Sequence, residues 1–189
     1  MKLMHLILTC VLVFACSSVA LGQAKPAESR SVSQIMDRAV GQVEGEFLPA
    51  ADAMPEAKYS FAPTTGEFKG VRTFAQQVRH VAAVNYMIGA AILEQKPPVE
   101  LGGESGPESI ASKADIMKFA KDSFAYLHKA LASINEKNQT DQVKNPFGEG
   151  KVTRLGIATV ALTHPMNHYG QMVEYLRMNG IIPPASRGQ

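Results

Sequence analysis

The stretch Leu162–Pro184, LTHPMNHYGQMVEYLRMNGIIPP, decides how this chain is read. Its apolar residues recur at helical spacing. Together with Leu155 and Ala158 upstream, Leu162, Met166, Tyr169, Val173 and Leu176 form one stripe, and Ile157, Ala161, His164, His168, Gln171 and Tyr175 form a second beside it. Gly180 and the pair Pro183-Pro184 supply a stop. The expectation is a helix from Val152 to Asn179, buried over a wide arc. Within it His164 and His168 stand four residues apart, so both imidazoles leave one face. Two such ring nitrogens can hold a transition metal if another element brings a third ligand. Pro165, between them, removes one helical hydrogen bond and crowds the Ala161 carbonyl, which predicts a kink or bulge at His164.

Upstream, residues 136–151 hold Asn, Gln, Asp, Lys, Pro146 and two glycines, and read as a loop. Before them Met117, Ala120, Phe124, Leu127, Leu131 and Ile134 mark a third helix. Its outer face carries Lys118, Lys121, Asp122 and Lys129, and His128, off the centre of the apolar stripe, is assigned no function. LGGESGPES, Leu101–Ser109, reads as a mobile loop ending in a serine cap. Val71, Phe74, Val78, Val81, Asn85, Ile88 and Ile92 recur at helical spacing up to Pro97-Pro98 and define a second helix, with His80 on the border of its polar and apolar surfaces. Residues 50–69 mix Pro55, Pro63 and Gly66 with Tyr59, Phe61 and Phe68, as expected of a connection that packs onto a bundle. The first helix starts at a Ser31 or Ser33 cap, follows Ile35, Met36, Ala39, Val40, Val43, Phe47 and Leu48, and is expected to end at Pro49. Four amphipathic helices with no evident strand specify an all-α four-helix bundle.

Of 189 residues 46% are hydrophobic and 19% charged, enough for one core and too few residues for two ordinary domains. The 31–189 segment is therefore read as a single domain. The net charge of +2 arises from 19 basic and 17 acidic residues that are interspersed, so no nucleic-acid footprint is expected. Ahead of the domain, Met1-Lys2, the apolar run Leu6–Ala15 and the small residues near Ala20-Leu21-Gly22 read as a cleavable signal peptide, residues 1–22, with export to the periplasm or medium as its consequence. The apolar run is too short for a membrane span, which needs about 20 residues. Residues 23–30, QAKPAESR, read as a disordered linker. Both cysteines, Cys10 and Cys16, fall in the leader, so the mature domain has no disulfide. Val13-Phe14-Ala15-Cys16 offers the alternative of a bacterial lipoprotein anchored through Cys16.

A single histidine on an apolar face is usually a core residue satisfied by one carbonyl. Two on the same buried face each need partners of their own, whereas one cation satisfies both. His80, the other histidine whose stripe turns inward, makes three imidazoles from two helices, and three protein ligands leave a tetrahedral ion one open position. Three imidazoles suit a divalent transition metal such as zinc, nickel or iron, and copper too. Gln171 can hold a ligand ring or serve as a packing amide. Gly170 is expected to let another helix approach, and Arg177 to sit favourably at the helix C-terminus.

The stretches FAQQVRHVAAVNYMIGAAI around His80 and HPMNHYGQMVEYLRMNGIIPP around His164 and His168, with AADAMPEAKYSFAPTTGEFKG between the first two helices, resemble the DinB-like superfamily of four-helix-bundle metalloenzymes over essentially the whole mature domain. Tyr169 stands where that pattern usually has arginine or histidine. The resemblance implies one divalent metal on His80, His164 and His168 with water completing the shell, and a homodimer. It also implies a thiol-dependent transferase or isomerase acting on a small molecule, and water made nucleophilic on such a metal adds the expectation of a metal-dependent hydrolase. A non-catalytic metal- or small-ligand-binding protein is the alternative, because no second carboxylate or nucleophile stands out near the site.

Overall fold

The computed structural model describes residues 29–188. The expected signal peptide, with His5, Cys10 and Cys16, lies outside the described residues. Four long helices carry the core: α1 (Val32–Ala53), α2 (Phe74–Leu93), α3 (Lys113–Ala132) and α4 (Arg154–Met178). Each starts on a hydroxyl. Ser31 and Thr73 form reciprocal capping boxes with Gln34 and Gln76, and Ser112 and Thr153 accept from Asp115 N–H and Gly156 N–H. The cap of α3 is thus Ser112 and not Ser109, because the glycine loop extends three residues further than its composition suggested.

Three other expectations are corrected. α1 passes through Pro49 and ends at Ala53, since Ala50, Ala51 and Met54 are fully buried. Burying Met54 alone is worth about 1.5–3 kcal/mol, comparable with the ~3 kcal/mol cost of an interior proline. The 136–151 loop contains β1 (Gln142–Lys144), which pairs antiparallel with β2 (Lys151–Thr153) in the register Val143↔Val152. Strands of three residues are too short for an alternation pattern to show. Val152 therefore lies in the hairpin, and α4 begins at Arg154. Finally, α4 stays α-helical through Pro165 without a bulge, and Pro165 itself is buried. Gly180, at φ +72°, ends the helix as expected.

The packed pairs are α2/α3, α1/α4, α2/α4 and α1/α3, so consecutive helices α1/α2 and α3/α4 face each other across the diagonals. Directions follow from the contacts. Asp37 and Glu44 meet His128 while Phe47 meets Phe124, so α1 and α3 are antiparallel. Arg79 reaches the Ile110 carbonyl, Asn85 reaches Ser123 and Gly89 abuts Tyr126, so α2 and α3 point the same way. Gln77 meets Gln171 while Arg154 meets the Ile92 carbonyl, so α2 and α4 are antiparallel. Parallel neighbours require the 94–112 connection to return the full length of α2 before α3 can begin. That return carries it over the histidine region.

Around this frame Tyr59 packs edge-on to Phe74 with centroids 5.4 Å apart, and Phe61 on Tyr175 at 5.6 Å, so the 54–73 connection closes one end of the bundle. The buried seam of α4 is Arg154, Ile157, Ala158, Ala161, Pro165, His168, Met172, Tyr175 and Leu176. It is narrower than the wide arc read from the sequence: Leu155, Leu162, Tyr169 and Val173 are only partly covered, and Met166 is exposed.

Candidate metal centre

His80 lies on the second turn of α2, and His164 and His168 lie on successive turns of α4. The antiparallel packing of these two helices brings the three rings together. Their centroids stand 4.8 Å (His80/His164), 4.7 Å (His80/His168) and 4.6 Å (His164/His168) apart. One ring nitrogen from each lies within 4.8 Å of the other two. His80 and His168 are buried, and His164 is partly covered.

The outer partners set which nitrogens face inward. His80 Nδ1 is 2.6 Å from the carbonyl oxygen of Glu104. A carbonyl only accepts, so Nδ1 carries the proton and Nε2 keeps its lone pair. His168 Nδ1–H donates to Gln77 Oε1. The orientation of that amide is set by its other end, where Gln77 Nε2 donates to Gln171 Oε1 at 2.9 Å and Gln171 Nε2 donates in turn to the Asn167 carbonyl at 3.4 Å. The relay leaves His168 Nε2 as a bare lone pair as well. His164 Nε2 is 3.0 Å from His80 Nε2, while its Nδ1 is buried without a partner.

The site is held neutral. Burial lowers the pKa of all three histidines, to about 4 for His164 and about 3 for His168; neighbouring rings add to the shift of His164 and His168, the Arg72 charge adds to all three, and for His80 the Glu104 carbonyl partly opposes it. Neutral imidazole is the form that binds a metal. The Nε2 lone pairs of His80 and His168 turn to one centre, and His164 can donate to only one of them while its own Nδ1 stays buried without a partner, so a cation satisfies the three rings better than hydrogen bonds among themselves. The donor set, all imidazole, can hold a divalent transition ion. Among the described residues no carboxylate joins the cluster.

The three histidines singled out in the sequence are therefore the three that converge. Gln171 does not touch a histidine; it acts one step out, on Gln77. Gln77 was not singled out in the sequence, although its position three residues before His80 puts it on the same helix face. Glu104 contributes a backbone carbonyl, which side-chain identity does not betray. Gly170 is exposed and no group comes within 4 Å of a Cβ there, so it does not seat a neighbouring helix. Arg177 pairs with Glu174 at 2.7 Å in the last turn of α4. His128 bridges Asp37 and Glu44 of α1 at 2.6 and 3.1 Å, a tie between helices away from the centre.

Residues 39–172 match the family model described as the DinB superfamily. Among solved structures, the chain is similar to a DinB-like protein from Bacillus subtilis, at 18% identity, covering 82% of this chain and 99% of that one, with a TM-score of 0.61. A conserved protein from Enterococcus faecalis aligns at 18% identity over 79% and 98% of the two chains, with a TM-score of 0.63. A second Bacillus subtilis protein, described as a probable metal-dependent hydrolase with an unusual four-helix bundle topology, aligns at 16% identity over 85% and 96%, with a TM-score of 0.59. These identities speak for the fold. No curated protein matches the sequence significantly.

Proposed function

The chain belongs to the DinB superfamily, and from that membership and the convergence of its three histidines we propose that it is an exported protein holding one divalent transition metal on His80, His164 and His168. Zinc, nickel and iron all suit the donor set. The observation that carries the reading is the pair of anchored tautomers: Glu104 and Gln77 take the Nδ1 protons of His80 and His168, so both Nε2 lone pairs turn to one centre.

Three protein donors leave a tetrahedral ion a free position for a small molecule. Bound there, the ion supplies Lewis acidity and lowers the pKa of whatever completes its shell. The chain's own part is to hold the donors neutral and oriented, through burial and the Gln77–Gln171 relay, and to shield them beneath the 94–112 connection. On this basis the activity is that of a metal-dependent hydrolase or thiol-dependent transferase, in keeping with the description of the second Bacillus subtilis structure. One observation favours a second reading, binding without turnover: among the described residues no carboxylate joins the cluster to serve as general base.

Metal analysis of the purified protein beside His168→Ala tests the centre. About one equivalent is expected in the parent and at least a tenfold weaker retention in the variant. Equal metal content in both would sink the assignment. Turnover of an electrophile by the loaded protein then separates the enzyme from the binding protein.

A further inference from the structure

A cavity of about 330 Å³ lies between the start of α2 and the 94–112 connection. Its wall includes Arg72, Gln76, Arg79, Ser105 and Glu108. These residues interleave in sequence with those of the metal centre: Gln76 precedes Gln77, Arg79 precedes His80, and Ser105 follows Glu104. The Glu104 carbonyl that holds His80 Nδ1 thus belongs to the same turn of chain as Ser105 in the cavity wall.

Both arginines lack a carboxylate partner among the described residues. The Arg72 side chain makes no ion pair or hydrogen bond there, its carbonyl alone being used, by Tyr175. Arg79 spends Nη1 on the carbonyls of Pro107 and Ile110, at 3.2 and 3.3 Å, and its Nε is buried without an acceptor. A buried guanidinium donor left unpaired is costly and calls for an acceptor. The backbone does not account for the arrangement, since the first amides of α2 are already taken: Phe74 N–H donates to Phe61 O, Ala75 N–H to Tyr59 O, and Gln76 N–H to Thr73 Oγ1. What the cavity offers an occupant is therefore guanidinium.

We propose that this cavity is a subsite for a carboxylate group on the small molecule handled at the histidine centre, with Arg72 and Arg79 as its ligands. The link to that centre rests on the metal reading given above. Two arginines against the exposed Glu108 carboxylate leave one net positive charge, which matches a carboxylate and disfavours a phosphate dianion. Guanidinium presents its donors in a fork suited to a carboxylate. The volume, about 330 Å³, sits at the small end of ligand pockets and has room for a short acid.

The test is an NMR titration of the full chain, metal-free and zinc-loaded, with butyrate, its neutral isostere butyramide, and inorganic phosphate. Butyrate should shift the amides of residues 70–76 and of Ser105, Gly106 and Glu108 saturably, and butyramide should not. Arg72→Gln, whose side chain supports nothing else in the fold, should weaken butyrate by about tenfold or more. Arg79→Lys, which keeps the charge but loses Nε, should weaken it severalfold. Absence of saturable shifts up to about 10 mM, equal affinity for butyramide, tighter binding of phosphate, or an unchanged affinity in Arg72→Gln would each overturn the subsite. The two readings fail separately: a parent that takes up no zinc but binds butyrate through its arginines loses the metal, and one that takes up zinc without binding butyrate loses only the subsite.

Discussion

Gln77 is a fully buried amide with a single geometry open to it. It accepts from His168 Nδ1–H on one side and donates to Gln171 on the other, so it converts a helix-packing contact into control of a tautomer. Replacing it by leucine keeps the volume and removes both bonds. Gln77→Leu should lower metal affinity by about 10–100-fold, measured by competition with a chromophoric chelator. Gln77→Glu, which still accepts from the imidazole, should lose less. Equal affinity in all three proteins would show that His168 is oriented by packing alone.

At the scale of elements, the 94–112 connection does what none of the helices can. It runs back along α2, and Arg79 draws it down through the Pro107 and Ile110 carbonyls. The Glu104 carbonyl then reaches His80. Gly106 makes this approach feasible: its φ is +75°, and a Cβ there would lie 2.9 Å from both Cβ and the carbonyl oxygen of Arg79. Because that oxygen belongs to helix backbone, the loop would have to lift. Gly106→Ala should cost about 1–3 kcal/mol and weaken metal binding through His80, as read by thermal melts and metal titration together. Gly103, at φ +79° with nothing within 4 Å, provides the comparison. Gly103→Ala carries the backbone penalty without the clash, so it should leave metal affinity unchanged. A loop that tolerates alanine at both positions with metal affinity intact would sever the connection from the centre.

For the whole molecule, the three neutral histidines tie stability to acid. In the unfolded chain a histidine titrates near 6.5, whereas in the folded metal-free protein His164 and His168 are pushed down to about 4 and about 3, burial being the main cause. Between those values and 6.5 the unfolded state binds more protons. Their contribution is thus complete above pH 6.5 and is lost as pH falls, at up to about 1.4 kcal/mol per pH unit per histidine. Urea melts of the metal-free protein should give a lower midpoint at pH 5 than at pH 7.5, and a His164→Gln/His168→Gln protein should show a flatter dependence. Coincident midpoints in the parent would contradict the burial of neutral rings. Four helices, the Ser31 start, the Gly180 stop and the inward histidines were legible in the chain because each rests on short-range signals: the 3.6-residue repeat puts His164 and His168 on one face whatever surrounds them, and Ser31 and Gly180 act on the turn next to them. The positions where the reading missed are those where distant groups outweigh local preference. Pro49 stays helical because the turn beyond it is buried, Pro165 is absorbed into an unbroken α4, and Val143 and Val152 find each other only as a pair. Local sequence by itself determined the helices and two of the three imidazoles as neighbours. Only the tertiary structure decided that α2 meets α4 antiparallel, bringing His80 to that pair, and that a returning loop lays the Glu104 carbonyl on His80 and packs against Arg79 at the start of α2, because those contacts depend on which helices lie across the diagonal and no repeat along the chain encodes that.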